Sequence, residues 1–259
     1  MPVPEAITNL VKNSGNHFHA KVARFLVKLG WRVVVSPYYL DQTLGKAREI
    51  DLIAEKCIPW HRQGQPTKPV AVRLFIECKY VASHAVFWFA DKDVKEAKKL
   101  VCRGSPFREN NMLTDEHHYL ASSSRVAKLF ASTKSKTGEN DPFYKALNQA
   151  LNGMVSLRDQ APHLPEFEEN QRLQPSAILE FPVVVCNSFS HIYSANFDDD
   201  SEPKQLTENF QFEVQYAYVD RQQNQKDEYF LVDFVEHNQL EQYLKLIEQD
   251  AENAASLAS

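Results

Sequence analysis

The stretch R-E-I-D-L-I-A-E-K at residues 48–56 and the stretch P-V-A-V-R-L-F-I-E-C-K-Y at residues 69–80 decide the fold of this chain. Their central segments, I-D-L-I-A at residues 50–54 and L-F-I-E-C-K at residues 74–79, are apolar apart from single charged residues, which predicts two β-strands. The polar, proline-bearing segment between them predicts a connecting loop, so the two strands can pair antiparallel. An ionisable side chain inside an apolar strand is costly unless it has a partner. Asp51, Glu77 and Lys79 occupy such positions and are candidates for a functional site.

A helix and a strand precede these two strands. Residues 16–29 place apolar side chains at helical spacing, and Gly30 follows as a residue that ends a helix. Residues 31–35 are aromatic and β-branched and stop before Pro37, which predicts a strand. The chain therefore opens with a helix followed by a three-strand meander.

Three helices and a second group of strands are predicted downstream. The helices cover residues 92–101, 116–131 and 141–157, and the last of them begins with a favourable Asp-Pro pair. Residues 177–186 form a nearly continuous apolar run, as expected for a strand that is covered on both faces. Shorter strands are predicted at residues 191–195, 212–219 and 229–234, and a last helix at residues 238–249. The order of elements predicts an α/β or α+β fold.

The composition fits a single folded domain. Of 259 residues, 43 % are hydrophobic and 24 % are charged, which is ordinary for a protein with a large core. We expect a core over about residues 15–187, an acidic C-terminal extension of strands and a helix over residues 188–250, and a flexible tail at residues 251–259. Residues 198–259 carry 15 acidic and 4 basic side chains, whereas the whole chain has a net charge of −5. The remainder is therefore net positive, which permits a polyanionic partner.

Several classes of protein are excluded by what the sequence lacks. No apolar stretch approaches the roughly 20 residues of a membrane-spanning helix, and the N-terminus does not read as a secretory signal. The four cysteines are widely spaced, which suits a reducing compartment better than a disulfide scaffold. The phosphate-binding loop of ATP-driven motors is also absent. We therefore expect a cytoplasmic protein without a membrane partner.

The three charged residues in the strands predict a metal site. Glu77 and Lys79 are two residues apart, so their side chains project from the same face of one strand. If the two strands pair antiparallel, Asp51 lies beside them. Two neighbouring carboxylates repel each other, which is costly unless a cation lies between them. Mg²⁺ typically binds one or two carboxylates together with water and phosphate oxygens. An ordinary cross-strand ion pair is the alternative interpretation of the E-x-K pattern.

The order of a helix, Gly-Trp, a strand, I-D-L-I-A and F-I-E-C-K-Y resembles the PD-(D/E)xK, or restriction endonuclease-like, superfamily of nucleases. The resemblance covers about residues 15–80 and extends more loosely to residue 187. It implies a mixed central sheet flanked by helices and an Mg²⁺- or Mn²⁺-dependent enzyme that hydrolyses DNA in restriction or phage defence. It also implies Asp51, Glu77 and the Cys78 carbonyl as metal ligands, and Lys79 as the catalytic lysine.

The chain departs from the family pattern at two points, and accessory residues follow from the comparison. Ile50 stands where many members have a proline before the first acid, and His19 stands in the stretch of the first helix where many have a glutamate. His19 is therefore an accessory candidate. Gln149 is another, because related nucleases often carry a glutamine on a later helix. His84, just past the E-x-K strand, is a third candidate for contact with substrate.

Binding to nucleic acid would need cations outside the metal site. Lys95, Lys98, Lys99 and Arg103 form a basic stripe on one predicted helix, although solubilising lysines would look the same. An RNA substrate is not excluded. Many nucleases of this kind pair two active sites, so a homodimer is compatible with the resemblance, and the acidic C-terminal quarter is compatible with a regulatory protein partner. The alternative function is a non-catalytic binding or assembly subunit that keeps the nuclease fold.

Overall fold

A ten-stranded mixed sheet forms the centre of the protein in the computed structural model, which describes residues 4–13, 15–59, 61–62, 65–66, 69–133, 141–158, 160, 162, 164 and 175–258. The helices are α1 (Glu5–Asn13), α2 (Gly15–Lys28), α3 (Val94–Cys102), α4 (Met112–Asp115), α5 (His118–Ala121), α6 (Pro142–Leu157) and α7 (Leu240–Leu257). The strands are β1 (Arg32–Val35), β2 (Tyr38–Asp41), β3 (Lys46–Glu49), β4 (Leu52–Ile58), β5 (His61–Arg62), β6 (Gln65–Pro66), β7 (Val70–Lys79), β8 (Ala85–Asp91), β9 (Arg125–Ser132), β10 (Ala177–Cys186), β11 (Ile192–Asn196), β12 (Lys204–Gln205), β13 (Phe210–Val219) and β14 (Gln225–Glu236).

Parallel strands lie at the middle of this sheet. Its order is β1-β4-β7-β10-β14-β13-β9-β8-β11-β12. β10 is parallel to both β7 and β14, whereas β4 and β13 are antiparallel to their central neighbours. Helices cover both faces, so the architecture is a mixed α/β fold with a large mixed central sheet flanked by helices. The predicted fold class is confirmed at this level.

Each face of the sheet has its own hydrophobic core. On one face, α2, α3, α5 and α7 pack against side chains such as Leu74 and Val183. On the other face, α6 packs over side chains such as Phe75 and Val184. The second core continues to β8, where the fully buried Phe87 ring contacts rings of both α6 and β14.

The first elements confirm the helix and the antiparallel strand pair. α2 ends before Gly30, whose φ of 81° is the left-handed conformation that glycine adopts at low cost. β4 and β7 pair antiparallel over seven residue pairs. The apolar run over residues 177–186 forms β10, which lies between two neighbours and is buried on both faces as predicted.

The predicted strand over residues 48–56 is wrong as a single element. β3 ends at Glu49 and pairs with β2 in a separate hairpin, and β4 begins at Leu52. The break occurs at Ile50 and Asp51. Ile50 is fully buried and packs against Gly153 of α6, where an added Cβ would lie 2.8 Å from the Ile50 Cδ1 atom. The connecting loop after β4 also contains a short hairpin, β5–β6.

The predicted helix over residues 116–131 is also wrong. The chain forms the short helices α4 and α5 and then the strand β9, which pairs antiparallel with β8. Three consecutive serines, residues 122–124, separate the two kinds of structure. Pairing with β8, a strand that the sequence did not reveal, explains why this segment is extended.

The C-terminal quarter belongs to the central sheet rather than forming a separate extension. β14 pairs with β10, and β13 pairs with β14. α7 runs to Leu257, so residues 251–257 are helical where a flexible tail was expected. Ala251, Ala254 and Ala255 are buried in the core, which explains the extra turns. Among the described residues, no helix is both long and apolar enough to cross a membrane.

Candidate metal centre

The register of β4 and β7 brings Asp51 to Glu77. Leu52 lies opposite Ile76 in the antiparallel pair, so the residue before Leu52 faces the residue after Ile76. The chain bends at Asp51, and its backbone N–H donates a hydrogen bond to Glu77 Oε1 at 3.2 Å. The pairing predicted from sequence is therefore what joins the two acids.

Lys79 completes the predicted trio. It shares a face of β7 with Glu77, and its Nζ donates a hydrogen bond to Glu77 Oε2 at 3.3 Å. The Glu77 side chain is 0 % exposed, whereas the side chains of Lys79 and Asp51 are 20 % and 15 % exposed. The buried acid thus lies beneath two charged groups that reach the surface at the end of β7.

The electrostatics of the trio favour a bound cation. Burial, together with the negative charge of Asp51, raises the pKa of Glu77 to about 8, although Lys79 acts in the opposite direction. The single ammonium group of Lys79 therefore does not fully offset the cost of charging Glu77. A divalent cation would favour the charged form of both, and carboxylate oxygens are the ligands that Mg²⁺ prefers. The two acids therefore fit a hard divalent cation.

Two donors hold the carboxylate of Asp51. The Cys78 backbone N–H donates to Asp51 Oδ2 at 2.7 Å, and His19 Nε2 lies 3.1 Å from the same oxygen. The hydrogen bond to Asp51 raises the pKa of His19. One ligand atom from each of His19, Asp51 and Cys78 lies within 4.8 Å of the others. The structure thus gives His19 a direct contact with the site.

Cys78 takes part through its backbone. Its side chain packs in the core on the α2 face of the sheet, since neighbours on a strand alternate between faces. Burial raises the pKa of the Cys78 thiol well above its usual range. A neutral thiol is a poor ligand for a hard cation, so the thiol does not extend the donor set. The ligand role of the Cys78 carbonyl stays a prediction.

Gln149 also reaches the site, whereas His84 makes other contacts. The Gln149 side-chain amide donates to the carbonyl of Glu49 at 3.3 Å, two residues before Asp51. His84 lies in the loop after β7, where its ring packs edge-on against His191 at a centroid distance of 4.9 Å.

Comparison of the chain with protein-family models, with curated proteins and with solved structures finds no match. No relative therefore supplies a function. The function is inferred from the site geometry.

The predicted basic stripe does not join this site. Lys98 and Lys99 are ion-paired with Asp115 and Glu96, at 2.8 and 2.6 Å. Arg103 is paired with Glu228 at 2.7 Å. Glu228 lies eight residues before the end of β14, so Arg103 is roughly 26 Å along the strands from the end of the sheet that holds Lys79. Lys95 remains an exposed lysine of α3.

A second polar cluster lies on the α7 face and was missed by the sequence analysis. His118 bonds to Asp250 through Nδ1, and its Nε2 lies 3.2 Å from Asp233 Oδ2. Tyr243 donates to the same Asp233 oxygen at 2.9 Å. Burial opposes the charge on His118, but the two acids outweigh it and raise its pKa to about 9. His118 is therefore a buried imidazolium that ties α5 to α7 and β14.

The geometry of this second cluster does not favour a metal ion. His117 joins His118 and Asp250 within ligand distance. However, His117 Nδ1 accepts the backbone N–H of Tyr119, which places the proton of a neutral ring on Nε2, facing Asp250. Both nitrogens of His118 already face carboxylates. Hydrogen bonds from the two histidine rings therefore already pair with the carboxylates of this cluster. The adjacent residues His117 and His118 were the one feature of the sequence that hinted at it.

Proposed function

We propose that this protein is a metal-dependent nuclease that hydrolyses phosphodiester bonds of DNA on a restriction endonuclease-like core, in a restriction or phage-defence setting. The observation that carries the proposal is the convergence of Asp51, Glu77 and Lys79 at the end of β7. Asp51, 26 positions away in sequence, meets the neighbouring pair Glu77 and Lys79 where a strand pair ends, and the fully buried Glu77 lies between the other two. An ordinary surface ion pair would not bury Glu77 beside a second acid.

The donor set supports Mg²⁺ or Mn²⁺ as the cofactor. Asp51 and Glu77 would hold the ion through carboxylate oxygens. His19 adds an imidazole nitrogen beside Asp51, and imidazole is a ligand of transition metals rather than of Mg²⁺. A bound ion would act as a Lewis acid on the phosphate and lower the pKa of a coordinated water.

The remaining groups of the site have roles in positioning and proton transfer. Lys79 is partly exposed and held by Glu77, so its ammonium is accessible and could orient the attacking water or stabilise charge on the phosphate. His19 and the Cys78 N–H fix the orientation of Asp51. Gln149 fixes the backbone at Glu49 and thereby the bend that carries Asp51.

A cleavage assay tests the proposal. Plasmid and linear DNA are incubated with wild-type protein in Mg²⁺, Mn²⁺ or EDTA, and with the variants Glu77→Gln and Lys79→Ala. We expect cleavage only with metal, and loss of at least about a hundredfold in rate in either variant. Lys204→Ala, an exposed lysine of β12, is the matched control and should cleave like wild type.

Absence of metal-dependent cleavage together with absence of metal binding by calorimetry would contradict the proposal. That pair of results would favour the non-catalytic subunit. Cleavage of RNA but not of DNA would support the proposed metal site and replace DNA by RNA as the substrate.

A further inference from the structure

A large groove lies on the same face of the sheet as Glu77. It runs between α6, the β2–β3 hairpin and the strands β9 and β13, and has a volume of about 1210 Å³. We call it the α6 groove. Small-molecule sites usually occupy about 300–1,000 Å³, so this groove is large enough for a segment of a polymer.

The α6 groove lies beside the segment that leads into Asp51. Gln149 and Arg48 line it. The amide of Gln149 donates to the carbonyl of Glu49, two residues before Asp51. A strand whose phosphate lies at Asp51 would therefore continue into the α6 groove.

Aromatic rings are distributed over the walls of the groove. Tyr144 comes from α6, Tyr216 from β13 and Phe130 from β9. Tyr144 is 43 % exposed, so part of its ring is open to a ligand in the groove. Proteins that hold unpaired nucleic acid present such rings to successive bases, because every base has a face that stacks.

A side-chain amide also faces the groove. Asn152 of α6 lines the groove and is only 8 % exposed. Its side chain makes no hydrogen bond with any other described residue. An amide can hydrogen-bond the edge of a base. Asn152 could therefore supply a hydrogen bond to a base that lies in the groove.

The charge of the groove distinguishes an unpaired strand from a duplex. Two of its cations are neutralised locally, since Arg48 pairs with Asp41 and Lys128 pairs with Glu213. Lys145 is the remaining lining cation and has no carboxylate partner in the part of the chain that the structure describes. Duplex binding relies on many phosphate contacts, which these cations cannot supply, whereas an unpaired strand also gains binding energy from bases that stack on aromatic rings.

We propose that the α6 groove binds an unpaired strand of DNA next to the scissile phosphate, by stacking on Tyr144 and Tyr216 and by hydrogen bonding to Asn152. This inference rests on the proposed nuclease function and specifies its substrate as DNA with a single-stranded segment.

Binding is measured by fluorescence anisotropy in EDTA, with the Lys79→Ala protein and a labelled oligo(dT) of about 12 nucleotides. We expect tighter binding of this strand than of the matching duplex, and a shallow dependence on salt. Tyr144→Ala should weaken binding about fivefold or more, whereas Tyr144→Phe, which keeps the ring, should not. The control Phe197→Ala removes a ring that is 54 % exposed and lies outside the groove.

Two results would overturn the inference. Tighter binding of the duplex, with no effect of Tyr144→Ala, would show that the groove does not hold an unpaired strand. In that case, metal-dependent cleavage of duplex DNA would still support the nuclease proposal. Failure to bind or cleave DNA in either form would overturn both.

Discussion

The backbone N–H of Asp51 donates a hydrogen bond to the carboxylate of Glu77, at 3.2 Å and across 26 positions of sequence. This bond ties the bend between β3 and β4 to the buried acid of β7. The position of Asp51 therefore depends on everything that shapes the bend, including Gln149 and Gly153 of α6. The packing of α6 therefore bears on where the Asp51 carboxylate lies.

Replacing His19 should change the metal preference of the site. His19 Nε2 lies 3.1 Å from Asp51 Oδ2. If His19 supports a bound ion, His19→Ala should weaken Mn²⁺ binding by about 10- to 100-fold, with a smaller loss for Mg²⁺, which prefers oxygen. Calorimetric titration with each metal measures both affinities. The control is His17→Ala, an exposed position two residues earlier in the same helix. Equal losses for the two metals would contradict a ligand role for the imidazole.

Replacing Gly153 should disturb the bend from the side of α6. A Cβ at residue 153 would lie 2.8 Å from Ile50 Cδ1, and Ile50 is fully buried and has little room to move. Gly153→Ala should therefore lower the free energy of unfolding by about 1–3 kcal/mol. The added substitution Ile50→Val removes the crowded methyl group and should recover part of this loss. Urea unfolding of the two single variants and the double variant measures the coupling, and simple additivity would show that the two residues do not interact.

Stability should depend on the charge of His118. The pKa of His118 is raised to about 9 in the folded protein, from an ordinary value of 6.5. The stabilisation is therefore complete below about pH 6.5 and is lost as pH rises through about 9. His118→Gln leaves two buried acids without their cation and should cost about 3–5 kcal/mol at pH 6.5. Urea unfolding between pH 6 and pH 9.5 should show this cost shrinking as pH rises.

His84→Gln is the control for that pH series. His84 is exposed, so its replacement should change the free energy of unfolding little at any pH. A cost of His118→Gln that stays constant from pH 6 to pH 9.5 would show that His118 is not held as an imidazolium.

The basic stripe of α3 should be dispensable for DNA binding. Lys98 and Lys99 are engaged by carboxylates, and α3 packs over β14 rather than beside the metal centre. The double variant Lys98→Ala, Lys99→Ala should therefore bind and cleave DNA within about twofold of wild type. Filter binding at two salt concentrations checks this, and a clear fall in the salt dependence would restore these lysines as phosphate contacts.

The meeting of Asp51, Glu77 and Lys79 was predictable from the sequence because the rules involved are local. Alternation on a strand places Glu77 with Lys79, and antiparallel pairing of two apolar strands brings in Asp51. The family resemblance pointed to His19 as an accessory residue, but local rules alone do not predict its contact with Asp51, because that contact depends on how α2 packs against the sheet. The same limitation applies to the α6 groove, whose walls come from four separate parts of the chain.

The incorrect predictions for β9 and for the basic stripe of α3 have a common physical cause. β9 was assigned to a helix because its partner β8 was not recognised as a strand, and strand pairing is non-local. The basic stripe looked free because its partners are distant in sequence, as Glu228 is from Arg103. Tertiary pairing overrode local pattern in both cases.

The central claim is that Asp51 and Glu77 bind one cation, and calorimetric titration with Mn²⁺ tests it most directly. We expect wild-type protein to bind one ion, and we expect Asp51→Asn and Glu77→Gln each to abolish that binding, since either change removes a carboxylate charge from the shared site. Cooperative urea unfolding of both variants would show that they are folded. Unchanged Mn²⁺ binding in both folded variants, or no binding by the wild-type protein, would contradict the claim.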